Sequence, residues 1–346
     1  MTPWRPALGF ATRVWLVVYA AYAVLTLAVP GASWNRHDTE WYLRLAAEGY
    51  HGERAPAFFP LYPLLVRAAG GGLVAAMLVS AVAYLGLLVV LYRLVEREYG
   101  HVPARRALCW LAAFPTAFYL AAGYNMAVTG FLLVVAVYAM RHQHWAVAGV
   151  AGAFATASRA SALLLVVVFL VECRRRPGRH LWWGALIPVG LLSYAAFLWT
   201  RYGDPLAFAH AQRSWGRGLD WPWVGFLRAA TWVVAPPQPG AGLPNLLDLC
   251  AALLLVLTLL LGWRRLPASF LALQAGLTAL AVSTPSDGSG LPMALLSVSR
   301  LALEAFPLFV LLGVGAGGRA FRLGVALSVT LQALFLARFL LGGFVA

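Results

Sequence analysis

Ten apolar runs follow one another along the chain, at 13–29, 72–95, 107–122, 127–140, 145–172, 181–200, 246–263, 268–283, 301–316 and 323–341. A helix that crosses a bilayer needs ~20 largely apolar residues. Lipid offers no hydrogen bonds, so a spanning segment must satisfy its own backbone, and a helix does this within one segment. No soluble stretch separates the runs. The pattern specifies an all-α polytopic membrane protein, with residues 1–346 forming a single integral membrane domain. Composition agrees: 62% of residues are hydrophobic and 11% charged, against roughly 25% charged in soluble domains. A disordered chain, a soluble enzyme and a disulfide-stapled secreted domain are excluded. Cys109, Cys173 and Cys250 show no metal or redox spacing. The first run lacks a small-residue cleavage site and reads as an uncleaved first span.

The net charge of +14 comes from 26 basic residues, all of them Arg. Nucleic-acid binding would need that charge on one soluble face, whereas these residues cluster between apolar runs. They read instead as a positive-inside signal. With the N-terminus cytoplasmic, Arg5, Arg13, Arg93, Arg97, Arg105, Arg106, Arg141, Arg174–Arg176, Arg179, Arg264, Arg265, Arg319 and Arg322 fall inside, beside three acids. Eight Arg and seven acids fall in the outer loops. This parity requires 145–172 to enter and leave on the same side. At 28 residues it is too short for two full spans. The expected solution is a hairpin of two short helices with Ser158-Arg159-Ala160-Ser161 at its tip; the alternative is one long tilted helix with Arg159 snorkelling. An ionisable group at membrane depth marks a functional site by default. About eleven membrane segments result, in a plasma-membrane protein. No internal repeat points to an inverted-repeat transporter.

Long connections without their own domain are usually functional, and three lie outside: 30–70, 201–228 and 284–300. In the first, Asp38 or Thr39 caps a helix that ends at Gly49. Glu40, Arg44 and Glu48 form a charged stripe at i, i+4 with ion pairing expected. Trp41 and Leu45 form the apolar side of a helix lying on the membrane surface. A bent aromatic segment, 57–65, follows. Asp38 has two readings, an N-cap or a carboxylate held at the outer face to take a proton from an acceptor hydroxyl. Arg36 and His37 share this ambiguity, and no second ligand pair suggests a metal. In the second loop, Asp204-Pro205 is expected to start a helix that presents Leu206, His210 and Arg213 on one face. His210, Gln212, Arg213 and Arg217 suit a phosphate or sugar; contact with anionic lipid headgroups is the alternative. Asp248 and Glu304 lie near membrane segments without an assigned role. Acids concentrated in outer loops favour surface chemistry over a transporter, leaving a non-catalytic lipid-linked-sugar carrier, flippase or inactive relative as the competing class.

The stretch His37-Asp38-Thr39-Glu40-Trp41-Tyr42, with Ala46-Ala47-Glu48-Gly49-Tyr50 and Ala57-Phe58-Phe59-Pro60-Leu61-Tyr62-Pro63, resembles the first-loop motifs of the PIG-V-like mannosyltransferases. These include the enzyme that adds the second mannose in GPI-anchor synthesis and its bacterial relatives. Phe114-Pro115-Thr116-Ala117-Phe118, Ser158-Arg159, Gly203–Phe208 with Trp215-Gly216-Arg217, and Ser299-Arg300 with Phe306-Pro307-Leu308 resemble further motifs of that family, in order along the chain. Two positions depart from it: His37 stands where the family has Trp, and Met126 where it has Glu. The resemblance implies a GT-C glycosyltransferase fold and a polyprenyl-phosphate-mannose donor. It implies inverting transfer to an extracytoplasmic acceptor, with Asp38 as general base. Arg159, Arg217, Arg300 and His210 are the candidates for the donor phosphate, and Arg36, His37, Glu40, Tyr42, Tyr124 and Gln212 for acceptor or loop support. The expected partners are the lipid-linked donor, a glycan, lipid or protein acceptor, and membrane lipids, but no nucleic acid. A lipid monophosphate and a carboxylate-poor chain imply neither a cofactor nor an obligatory metal.

Overall fold

The computed structural model describes residues 4–174, 178, 180–286, 292–315 and 317–345. Among them the chain is helical throughout, with one isolated bridge between Arg217 and Ser286. In order the helices are α1 (Arg5–Ala28), α2 (Asp38–Glu48), α3 (Leu61–Ala68), α4 (Gly72–Tyr99), α5 (His101–Ala113), α6 (Met126–Arg141), α7 (Trp145–Ser158), α8 (Leu165–Cys173), α9 (Leu181–Gly184), α10 (Val189–Tyr202), α11 (Ala207–His210), α12 (Pro222–Val234), α13 (Gly242–Gly262), α14 (Ala268–Ser283), α15 (Val298–Leu301), α16 (Phe306–Gly315) and α17 (Gly318–Leu340). Five described segments are long and apolar enough to cross a membrane: Arg5–Ala28, Gly72–Tyr99, Leu181–Tyr202, Gly242–Gly262 and Gly318–Leu340. Shorter apolar helices, α6, α7, α14, α16 and the segment Ala160–Cys173, pack among them. Large apolar side chains face outward along the long helices, with Leu27 87% exposed and Val82 73%. In water such a surface would associate; in a bilayer it is solvated. The chain is a multi-pass membrane protein.

The central helix α4 packs against α1, α5 and α6. Its N-terminal half meets the first loop, where the Tyr62 hydroxyl donates to the Ala76 carbonyl at 2.9 Å and pairs with Ser80 Oγ at 2.8 Å. At its other end Glu98 accepts from Arg141 at 2.7 Å, and Glu172 accepts from the same guanidinium at 3.0 Å. Here too Arg93 lies over Trp4, Arg97 over Tyr138 and Arg106 over Phe321. The Tyr99 hydroxyl donates to the Arg265 carbonyl at 2.8 Å. Most of the arginines expected inside that the structure describes therefore gather at one end of the bundle. Arg175, Arg176, Arg179 and Asp287 lie outside the described residues.

The expected hairpin forms. Helix α7 rises from the basic end and stops at Ser158. Arg159 is extended (φ −165°, ψ 141°), a 3-10 turn covers Ala160–Leu164, and α8 returns. The Arg141–Glu172 bond brings the end of α8 back beside the start of α7, so a single tilted helix is ruled out. Helix α7 can lie close to α10 because glycines face it. A Cβ at Gly190 would come within 1.9 Å of the Ala153 carbonyl oxygen, and one at Gly152 within 2.7 Å of Ile187. Small residues at such contacts let membrane helices approach backbone to backbone.

Candidate active site

At the end opposite the arginine cluster, the three long loops converge on one cavity of about 1000 Å³. The first loop supplies α2, which starts at Asp38, with His37 in the N-cap position, and stops at Gly49 as expected. Asp38 makes no capping bond with its own helix, so the N-cap reading fails. Its Oδ2 accepts from Arg300 Nη1 at 2.6 Å, and its backbone N–H donates to the Tyr124 hydroxyl at 3.3 Å. The preceding His37 has a left-handed φ of 52°, which turns the chain sharply into α2. The Glu40, Arg44 and Glu48 stripe forms on one face, but no ion pair links them; Arg44 instead lies over Trp41 at 5.3 Å. Trp41 stacks on Phe58 at 5.4 Å, and Tyr42 meets Phe58 edge-on at 5.2 Å. Aromatic packing thus holds α2 rigid beneath the cavity.

Arg300 comes from the third loop on α15, and the residues that hold it escaped sequence reasoning. Asp248 on α13 is fully buried. It accepts from Ser297 N and Ser299 N, both at 2.9 Å, and from Ser299 Oγ at 2.6 Å. These bonds stabilise two successive left-handed residues, Leu296 (φ 40°) and Ser297 (φ 70°), a conformation that costs energy for L side chains. Asn245, one turn earlier, accepts from Ala294 N at 2.8 Å. From the far side Thr116 Oγ1 donates to the Ser299 carbonyl at 2.8 Å. The Arg300 guanidinium lies 5.4 Å from the ring centroids of both Tyr119 and Tyr124. Burial would lower its pKa, but Asp38 and these tyrosines outweigh that and raise it.

Arg159 reaches the cavity from the break after α7. Its Nη1 lies 2.9 Å from Glu304 Oε1 and 3.0 Å from Met126 Sδ, and Ser161 donates to the other Glu304 oxygen at 3.1 Å. Glu304 is fully buried. Glu304, in the approach to α16, is thus the carboxylate that holds Arg159 and Ser161 together. Asn125 Nδ2 donates to the Ser158 carbonyl at 2.9 Å, and Thr129 pairs with Ser158 Oγ at 2.7 Å, fixing the hairpin tip.

The second loop closes the cavity. Arg217 donates to the Leu296 carbonyl and Arg228 to that of Ser286, while Gly218 N donates to the Pro285 carbonyl at 3.3 Å. Burial, together with Arg159 and Arg300, brings the Arg217 pKa down to about 10, which leaves it cationic at neutral pH. Trp215 packs edge-on against Trp41 at 5.8 Å. The helix expected from Asp204-Pro205 starts later, at Ala207, and lasts one turn. Asp204 does not cap it but bonds Leu206 N at 2.9 Å and the His210 ring at 2.7 Å. His210 therefore sits at the rim already engaged, and Leu206 points out at 53% exposure. Gln212 and Arg213 also line the rim, and Arg36, Glu40 and Tyr42 the wall. The C-terminal segment adds a wall that sequence reasoning missed. Arg36 lies against Gly342, and the His37 ring meets Phe344 edge-on at 5.2 Å. Burial among these groups lowers the His37 pKa.

A half-buried carboxylate thus faces clustered guanidinium groups at one end of an all-α membrane bundle. A solved structure of the same fold is the crystal structure of ArnT from Cupriavidus metallidurans bound to undecaprenyl phosphate. The similarity has a TM-score of 0.55 at 15% identity and covers 94% of this chain and 76% of that one. No protein-family profile matches the chain, and no curated protein matches it.

Proposed function

We propose that this protein is a membrane glycosyltransferase. It moves a hexose from a polyprenyl-phosphate-sugar to an acceptor hydroxyl on the extracytoplasmic side, with inversion. The PIG-V-like motifs make mannose the proposed sugar. One observation carries the reading: Asp38 and the cations Arg159, Arg217 and Arg300 share a single cavity, in a fold similar to that of a protein crystallised with undecaprenyl phosphate.

Asp38 takes the proton of the acceptor hydroxyl, whose oxygen bonds to the anomeric carbon as the carbon–oxygen bond to phosphate breaks. The electron pair remains on the lipid phosphate, where fixed guanidinium groups stabilise the growing charge. Three such groups suffice for a monophosphate, so no obligatory metal is proposed. Trp41, Tyr42 and the rim residues His210 and Gln212 are placed to bound the sugars. The competing carrier reading draws on Met126, which removes an acid from the site; Glu304 answers it with a carboxylate on the same arginine.

The test is transfer of labelled mannose from polyprenyl-phosphate-mannose by purified protein, over a broad panel of glycan, lipid and peptide acceptors. General-base removal costs about 10²–10⁴-fold, so Asp38→Asn should fall by that factor. An inert wild type, or a fully active Asp38→Asn, rejects the reading.

A further inference from the structure

The same side chains are asked to do two things. Asp38 must be open to an acceptor proton, and Arg300 must meet the donor phosphate. Yet each holds the other: Arg300 Nη1 lies 2.6 Å from Asp38 Oδ2. The guanidinium charge makes that carboxylate a poorer base, and the bond occupies its Oδ2. Arg300, by contrast, has donors to spare. Its Nη2 bonds Ser297 Oγ at 3.2 Å, and its Nε is buried without a partner, although a guanidinium carries five N–H groups. Arg217 and Arg159 face the same cavity, and like charges gathered there repel one another. An anion placed among the three relieves that repulsion.

The backbone beneath Arg300 need not move. Asp248 ties Ser297 N and Ser299 N, and Thr116 ties the Ser299 carbonyl. Exchange of partners is left to the side chain, which lies 5.4 Å from the ring centroids of both Tyr119 and Tyr124.

We propose that Arg300 is exchanged: it guards Asp38 in the donor-free protein and passes to the lipid phosphate on donor binding, so that donor must bind before the base is released. Asp248 is the positioning residue that fixes the backbone beneath Arg300. The order of substrates rests on the glycosyltransferase reading; the exchange itself is a property of phosphate binding and is tested without sugar transfer. In the reacting state the acceptor proton goes to Asp38, and the electron pair of the broken bond goes to the phosphate, now bonded to Arg300. Balance is complete without any further reactant.

Exchange means that Asp38 competes with phosphate for one guanidinium. The variant that abolishes catalysis must then bind the lipid phosphate more tightly. Undecaprenyl phosphate binding to the purified full-length protein in detergent, followed by intrinsic Trp fluorescence, reads this directly. Asp38→Asn should bind at least about threefold more tightly than wild type, the scale of a charge-assisted hydrogen bond recovered. Glu48→Gln removes an equal charge from the same helix, outside the cavity lining, and should change affinity by less than about twofold. In an Arg300→Ala background the Asp38→Asn effect should vanish, the double-mutant signature of a direct coupling. Unchanged or weaker binding by Asp38→Asn overturns the exchange. So does equal tightening by Glu48→Gln, or tightening that survives without Arg300. Tightening in a protein that transfers no sugar would sustain the exchange while rejecting the glycosyltransferase reading. Transfer without tightening would do the reverse.

Discussion

Asp38 was legible as a candidate because acids are scarce in this chain, but its two readings were separable only by three-dimensional partners. Arg300, the partner of its carboxylate, lies 262 residues away. Asp248 and Glu304 were opaque for the same reason: a carboxylate in an apolar helix says only that something must pair with it. For Asp248 that something is the strained turn carrying Arg300. Asp248→Ala leaves three buried donors without an acceptor, at about 1–3 kcal/mol each, and should lower the melting temperature markedly. Asp248→Asn keeps an acceptor oxygen, so it should keep most of the stability while raising the donor KM more than it lowers kcat. Equal loss of kcat at unchanged KM would assign Asp248 to the scaffold alone. His37 offers a pH test. Burial depresses its pKa, so the folded protein favours neutral imidazole while the unfolded chain protonates near ~6.5. Stability must therefore fall as pH drops below that value. Thermal unfolding should lose more between pH 7 and pH 5 in wild type than in His37→Gln; parallel losses would show that His37 does not titrate in that range.

Helix α2 was legible nearly to the residue, since Gly49 stops it where a left-handed φ of 84° is needed. The hairpin of α7 and α8 followed from charge parity alone, and the Arg141–Glu172 bond closes it. Less was visible in the second loop. Asp204-Pro205 looked like a helix start, but the Asp204 side chain is spent on Leu206 N and His210, which leaves α11 one turn long. The glycines of α7 and α10 set the distance between these helices, which only the packing shows. Gly190→Ala places a methyl group into the α7 backbone. Overpacking of this kind costs about 1–3 kcal/mol, and here it also bears on the hairpin tip that carries Arg159. The variant should melt lower than wild type in detergent and lose phosphate affinity; unchanged melting would mean that the two helices are not in close contact.

Charge and architecture coincide over the whole bundle: one end collects the arginines of the short connections, and the other the three long loops and the cavity. The proposed orientation puts the arginine end in the cytoplasm. In a background with Cys109, Cys173 and Cys250 replaced by Ser, Arg44→Cys and Arg264→Cys should label with an impermeant thiol reagent from opposite faces of the membrane. Labelling of both from one face would reject the orientation. The overall class was legible because apolar run lengths report it directly. The cavity was not, because it is assembled from segments separated by up to about 300 positions in the chain. Its lid carries one more consequence. Among the described residues, four bonds that seat the second loop, from Arg217, Gly218, Asp220 and Arg228, end on main-chain carbonyls, those of Leu296, Pro285, Ser283 and Ser286. Every amino acid possesses a carbonyl, so the receiving side places few demands on sequence, and the segment from Asp204 to Arg213 that forms the rim takes part in none of these bonds. Under the proposed function, acceptor preference can therefore be changed at exposed rim side chains such as His210 and Arg213 without touching Asp38 and the cations beneath them.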